Sequence, residues 1–232
     1  MRGRLRICAA LLGLLGLSSC NRGPDGVGLQ LELVQLAGQR LSNLGEPEPA
    51  ARPALTRAAL DTIQAPYIEV TVENRGALAY LAQSLVRQDG DPGQIVVWRS
   101  EDNATLALRG GVLVATRGLG DDLLSASALQ LVGQGGAETS AARRYQIRGL
   151  DSGARTLVMG CTLVDLGAEQ VEIVELRHAT RHLQERCEGG SGAAAGVVVN
   201  DYWVDSRTGR VWQSRQWAGP TIGYLYIRQL TV

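Results

Sequence analysis

From Tyr67 to the C-terminus the chain alternates apolar and polar residues in short runs, each closed by a turn signal. "YIEVTVE" at Tyr67 alternates cleanly. "LAYLAQSLVRQ" and "QIVVWRS" flank "DGDPG", which reads as two strands around a turn. "ATLALRGGVLVATRG" reads as a hairpin with Gly110 and Gly111 at its tip. "ARRYQIRG", "RTLVMGCTLVDLG" and "QVEIVELRHATRHLQERC" continue the series, and two or three more strands follow the Gly/Ala-rich loop "EGGSGAAAG". A period of two places every second side chain on one face. Regular short strands of this kind predict a mainly β fold, an antiparallel sandwich or barrel-like sheet with few short helices.

The segment before this region differs. In "LQLELVQLAGQRLSNLG", Leu29, Leu33, Leu36 and Leu44 lie close to helical spacing, which predicts one N-terminal amphipathic helix. "GEPEPAARPA" is a proline-rich connector. The sequence shows no internal repeat, so residues 29–232 are expected to form a single β-rich domain.

Arg2, Arg4 and Arg6 precede an apolar run from Ile7 to Leu17 that is too short to span a bilayer. The run ends in Leu17-Ser18-Ser19-Cys20, which fits a lipoprotein signal peptide over residues 1–19 with Cys20 as the lipidated residue. Two or more acyl chains on Cys20 would anchor the protein stably, with 20–28 as a tether. Asn21 favours the outer over the inner membrane, facing the periplasm.

Cleavage would remove three arginines and leave 23 acidic residues against 20 arginines, a net charge of −3. That balance offers no footprint for nucleic acid. The chain contains no lysine, which excludes Schiff-base, P-loop lysine and Ser-Lys chemistry. Of four cysteines, Cys8 leaves with the leader and Cys20 becomes the anchor. Cys161 and Cys187 remain as an even pair in an oxidising compartment, so a disulfide is expected. Their spacing suits no zinc motif.

"GVLVATRGLGDDLLSA", Gly111 to Ala126, could in principle be a phosphate loop, a metal site or a carboxylate pair. It fails the dinucleotide fingerprint at Leu123, the Walker pattern for want of lysine, and the EF-hand pattern because Asp121 and Asp122 are adjacent. The remaining readings are a turn, with Asp121 or Asp122 capping a short helix over "LLSASAL", or a ligand contact through Arg117 and the two aspartates. His178 and His182 lie four apart, but Ala179 stands where a zinc protease needs glutamate and no third ligand converges. They read as solvent-facing strand residues. "GGSGA" around Ser191 is not a nucleophile elbow. No catalytic residue, metal site or cofactor is therefore assigned.

"NDYWVDSRTGRVWQSRQWAGP" is the richest stretch. "DSRTG" reads as a hairpin turn. Pairing Asp205 with Arg210 sets Val204 against Val211 and Trp203 against Trp212. One face then carries Asp201, Trp203 and Asp205 with Arg210, Trp212, Ser214 and Gln216. The other carries Asn200, Tyr202 and Val204 with Val211, Gln213, Arg215 and Trp217. Two indoles rimmed by polar groups suit a sugar ring; the same pair also suits cross-strand packing. If a glycan is bound here, Trp203, Trp212, Asp201 and Arg215 are the candidate contacts, ahead of Arg117, Asp121 and Asp122.

"GVLVATRGLGDDL", the Cys161 to Cys187 spacing and "YWVD…GRVWQSRQWAGPTIGYLYIRQL" resemble the YjbF/GfcB family of capsule and exopolysaccharide lipoproteins, from about Tyr67 to the end. The resemblance implies a mainly antiparallel β fold and an outer-membrane lipoprotein of a polysaccharide-secretion operon, and it brings no catalytic residue set. Together with the residue-level reading this gives a lipid-anchored, non-enzymatic role in export or assembly of an extracellular polysaccharide. Its partners would be other polysaccharide-export envelope proteins, the polysaccharide itself, or both. Two alternatives stay open: a polysaccharide-modifying enzyme using carboxylates near Asp121 and Asp122, and a structural envelope protein without glycan contact.

Overall fold

The structure is a computed structural model that describes residues 55–131, 139–148, 153–189 and 196–232. One short helix, α1 (Arg57–Leu60), precedes β1 (Tyr67–Val72), β2 (Ala77–Arg87), β3 (Ile95–Arg99), β4 (Thr105–Arg109) and β5 (Val112–Arg117). Then follow β6 (Leu123–Ala126), β7 (Thr139–Arg148), β8 (Ala154–Ile173), β9 (Leu176–Gly189), β10 (Gly196–Asp205), β11 (Val211–Trp217) and β12 (Tyr224–Gln229). The predicted helix over 29–44, the leader, the tether and Cys20 lie outside the described residues. So does most of the loop after Glu188.

All strands join one antiparallel sheet of 12 in the order β5-β4-β3-β2-β1-β12-β11-β10-β9-β8-β7-β6. Except at the break between β5 and β6, each strand pairs with its sequence neighbours, and β1 pairs with β12 from Ile68–Gln229 to Val72–Leu225. The meander is therefore nearly closed into a barrel-like sheet whose two edges are β5 and β6. The expected hairpins β2–β3 and β4–β5 form where the alternation places them.

Inward-facing residues make the core. Ile68, Val70 and Val72 of β1 meet Leu81 of β2, Trp98 of β3, Leu106 of β4, Tyr145 of β7 and Leu225 of β12. Eight strands enclose a space that side chains just fill, and the interior widens as strands are added. With twelve strands the interior divides into an apolar core, a buried polar network and an open end.

A bulge between Asp165 and Gly167 changes which face β8 presents. Before it, Met159, Cys161 and Leu163 are buried in the interior clusters. After it, Val171 and Ile173 join Leu60 of α1 and Leu230 in a separate cluster. Thr56 caps α1 by accepting from Ala59 N–H at 3.2 Å, which sets Leu60 against that cluster.

The short helix expected over "LLSASAL" is not formed. Leu123–Ala126 is strand β6, paired with β7 through Leu123–Ile147, Ser125–Gln146 and Ala126–Tyr145. Leu123 is fully buried. Pairing plus burial of that leucine outweighs a local capping preference that one isolated turn could satisfy.

Candidate functional site

The tip of the β10–β11 hairpin forms as expected. Asp205 N–H donates to Arg210 C=O at 2.8 Å, and Val204 pairs with Val211. The register beyond it differs. A bulge between Trp203 and Val204 puts Trp203 opposite Gln213, Tyr202 opposite Ser214 and Asp201 opposite Arg215. The extra residue moves Ser214 and Gln216 inward, where they are 2% and 1% exposed. The expected pairing of Trp203 with Trp212 is thus replaced.

Each indole instead stacks on a histidine of β9. His182 and Trp203 lie 4.5 Å apart at 15°, and His178 and Trp212 lie 3.7 Å apart at 22°. Both tryptophans also pack against the cluster of Leu60, Val171, Ile173 and Leu230. His182 Nε2 sits 2.9 Å from Asp201 Oδ1, and its Nδ1 sits 3.1 Å from Glu169 Oε2. Gln184 donates to the same Asp201 oxygen at 3.0 Å. Trp212 Nε1 donates to Asp205 Oδ2 at 3.3 Å, and the Arg210 guanidinium lies 5.3 Å from the Trp212 ring centre. The histidines are therefore not the solvent-facing residues expected, because the indoles cover them. Burial pushes the His178 pKa down.

Arg215 is committed elsewhere. It donates to both carboxylate oxygens of Glu73 at 2.7–3.0 Å and lies 3.6 Å from the Tyr224 ring centre. The Glu73 bond holds its pKa above the ordinary value.

Arg117, Asp121 and Asp122 lie where β5 turns into β6. Asp122 is 5% exposed and accepts from Thr116 Oγ1, Gly118 N–H and Leu119 N–H at 2.9–3.1 Å. Leu123 N–H donates to Thr116 Oγ1 at 3.0 Å. Arg117 donates to the carbonyls of Thr116, Leu123 and Leu124. Asp121 accepts from Thr221 Oγ1 at 2.8 Å. Side chains here satisfy backbone groups that a paired strand would otherwise serve. Further along the same edge, Leu113 N–H donates to Gln216 Oε1 at 2.7 Å and Leu113 C=O accepts from Arg143 at 3.1 Å.

Arg143 belongs to a buried network that the sequence reading did not single out. Its guanidinium pairs with Glu185, which is 0% exposed. The same Glu185 oxygen accepts from Asn200 Nδ2 at 2.7 Å and Tyr202 OH at 3.1 Å. Asn200 Oδ1 in turn accepts from Trp217 N–H at 2.7 Å. Burial holds the Tyr202 hydroxyl pKa well above its ordinary value and pushes Tyr145 up to about 12. The period of two could have flagged this network. Arg143 alternates with Tyr145 and Ile147, and Glu185 with Leu183 and Cys187, so both charges fall on apolar faces.

Cys161 and Cys187 sit directly opposite each other in the β8–β9 ladder and form the expected disulfide. Glu185 lies beside them, but sulfurs bonded to each other offer no thiolate ligands to a metal.

A solved structure, the hypothetical lipoprotein YmcC from Escherichia coli (K12), matches with a TM-score of 0.63 at 18% identity, covering 91% of this chain and 98% of that chain. At that identity the likeness establishes the fold. No curated protein matches the chain. A family model described as the group 4 capsule polysaccharide lipoprotein gfcB, YjbF, matches residues 31–230. With that match spanning most of its length, the chain belongs to the YjbF family of group 4 capsule polysaccharide lipoproteins.

Proposed function

We propose that this chain is a non-enzymatic envelope protein, anchored through lipid on Cys20, that assists export or assembly of a capsular or extracellular polysaccharide by contacting partner proteins, the glycan, or both. The family membership carries this reading, since a capsule lipoprotein family implies an envelope location. In this reading attachment rests on acylation of Cys20; among the described residues no helix is long and apolar enough to cross a membrane. Anchoring confines the protein to the membrane surface, where raised local concentration makes weak contacts sufficient. The carboxylates nearest the sequence signature support a non-enzymatic role: Asp122 and Asp121 are spent on hydrogen bonds to Thr116, Gly118, Leu119 and Thr221.

The test is genetic. Deleting the gene should lower polysaccharide at the cell surface, and wild-type protein should restore it. Cys20→Ala protein should fractionate away from the outer membrane and fail to restore it. Full surface polysaccharide in the deletion strain would sink the proposal.

A further inference from the structure

The two ends of the barrel-like sheet differ. At one end the loops are tied together. Asn74 donates to Thr221 C=O at 3.0 Å, Thr221 bonds Asp121, and Ala218 and Ile222 are fully buried beneath. At the other end a cavity of about 400 Å³ opens inward. That size falls in the range in which proteins hold small ligands, roughly 300–1,000 Å³.

The β4–β5 and β10–β11 hairpins meet at the rim of this cavity. Gly111 has φ +88, and a Cβ there would stand 2.3 Å from Val211 Cγ2. Only glycine allows that approach. The two tips thereby become a fixed wall.

The lining has a consistent chemistry. Its floor is Ile68, Leu108 and Ile227, all buried, with Trp98 4% exposed beside them. Its uncharged polar side chains include Gln83, Gln94, Gln213, Gln229, Ser214 and Thr208. Among the described residues no acidic side chain lines it, and Arg210, on an exposed turn, is the one cation that does.

Much of this hydrogen-bonding capacity is unspent. The side chains of Gln83 and Gln94 have no partner among the described residues. Gln229 donates through Nε2 to Tyr67 C=O and Thr231 C=O, which leaves Oε1 able to accept. Ser214 accepts from Gln216 at 2.9 Å, which leaves its own proton to donate. Trp98 Nε1 is buried without an acceptor among the described residues.

We infer that this open end binds a neutral saccharide, received end-on with its terminal unit against Trp98. The inference deepens the proposed role and rests on its glycan-contact branch. Hydroxyls donate and accept at once, as an array of uncharged amides and hydroxyls requires. An anion would find one rim arginine; a cation would find no carboxylate. A lipid chain would strip water from the amides without replacing their hydrogen bonds. Because buried core closes the floor, a chain terminus fits and a chain interior does not. Trp212 borders the rim of this cavity from the outer face, but its indole and that of Trp203 already stack on histidines.

The experiment uses the full acylated chain in a detergent without a sugar headgroup. Calorimetric titration with short neutral oligosaccharides released from the host's secreted polysaccharide should show saturable binding. Gln83→Ala combined with Gln94→Ala, both exposed positions, should weaken it roughly tenfold or more with an unchanged thermal midpoint. Asp201→Ala, on the outer face, should leave it intact. Trp98→Ala should abolish it where the variant remains folded. No binding up to the solubility limit would overturn the inference, as would equal binding of uronate-bearing oligosaccharides. Loss in Asp201→Ala with retention in the glutamine variant would overturn it too. Tighter binding of cell-wall muropeptides, whose lactyl and peptide groups carry carboxylates, would overturn it as well. Since the proposed role is read from surface polysaccharide in a deletion strain, failure of either is seen independently of the other.

Discussion

Thr116 Oγ1 lies 2.9 Å from Asp122 Oδ1 and accepts the N–H of Leu123 at 3.0 Å, so one hydroxyl links the end of β5 to the start of β6. Asp122 therefore organises the turn between the two edge strands. Asp122→Ala would leave the N–H groups of Gly118 and Leu119 and the Thr116 hydroxyl without their acceptor. Each buried orphan costs about 1–3 kcal/mol, partly recovered by water at the turn. The expected loss is about 2–4 kcal/mol for Asp122→Ala, read by urea denaturation. Asp121→Ala loses one exposed bond to Thr221 and should cost less than about 1 kcal/mol. Equal effects of the two would refute the assignment.

The Arg143–Glu185 pair is buried on both sides, with side chains 4% and 0% exposed. Removing one partner strands the other charge inside the barrel. Glu185→Ala should cost about 3–5 kcal/mol. Replacing both together, as Arg143→Met with Glu185→Leu, should cost much less than the sum of the two single changes. Arg143 also serves Leu113 and Ser127 carbonyls, so the double variant should remain below wild type. A double-mutant cycle by chemical denaturation measures the difference; additive single effects would show that the pair is not coupled.

Strand positions were readable because each is fixed by a local pattern: alternation decides the face, and glycine-bearing turns decide the ends. Barrel closure was not, since it depends on β1 meeting β12, a pairing between the two ends of the domain that no local period encodes. The β10–β11 tip was legible from "DSRTG". Its register failed two residues later, because the bulge at Trp203 reflects packing of indoles onto β9 rather than anything in the hairpin itself. The capping role given to the aspartates failed for a similar reason. Asp122 does satisfy N–H groups, but those of the preceding Gly118 and Leu119, while β7 claims the following residues as a strand. Of the candidate contacts, Trp203, Trp212 and Asp201 share one outer face, Arg215 pairs with Glu73, and Arg117, Asp121 and Asp122 lie at the sheet's edges. The cavity at the open end draws on strands from both halves of the chain, so no single stretch announces it.

The Cys161–Cys187 bond crosses two directly paired strands with a sequence separation of 26. Closing a loop of that length restricts the unfolded chain by about 3.5 kcal/mol. Both residues are buried, so alanine replaces them with less polar cost than serine. Cys161→Ala with Cys187→Ala should lower unfolding free energy by about 3–4 kcal/mol and still fold, because the β8–β9 ladder continues on both sides of the bond. An unchanged denaturation midpoint in the double variant would show that the bond is not formed in the native protein.

Asp205 accepts the backbone N–H groups of Arg207 and Thr208 at 2.9 and 3.0 Å, and Trp212 Nε1 at 3.3 Å. These bonds, led by those from Arg207 and Thr208, favour the carboxylate and lower its pKa from 3.8 to about 2. A depressed folded-state pKa stabilises the hairpin above the unfolded value and loses that contribution as pH falls through the folded one. The β10–β11 tip should therefore hold at neutral pH and loosen between about pH 4 and pH 2. Amide exchange at Arg207 and Thr208, followed by NMR, should accelerate over that window relative to the rest of β11. Asp205→Asn cannot ionise, so it should abolish the pH dependence while keeping one acceptor for the turn. A matching acceleration in the asparagine variant would place the acid sensitivity elsewhere in the sheet.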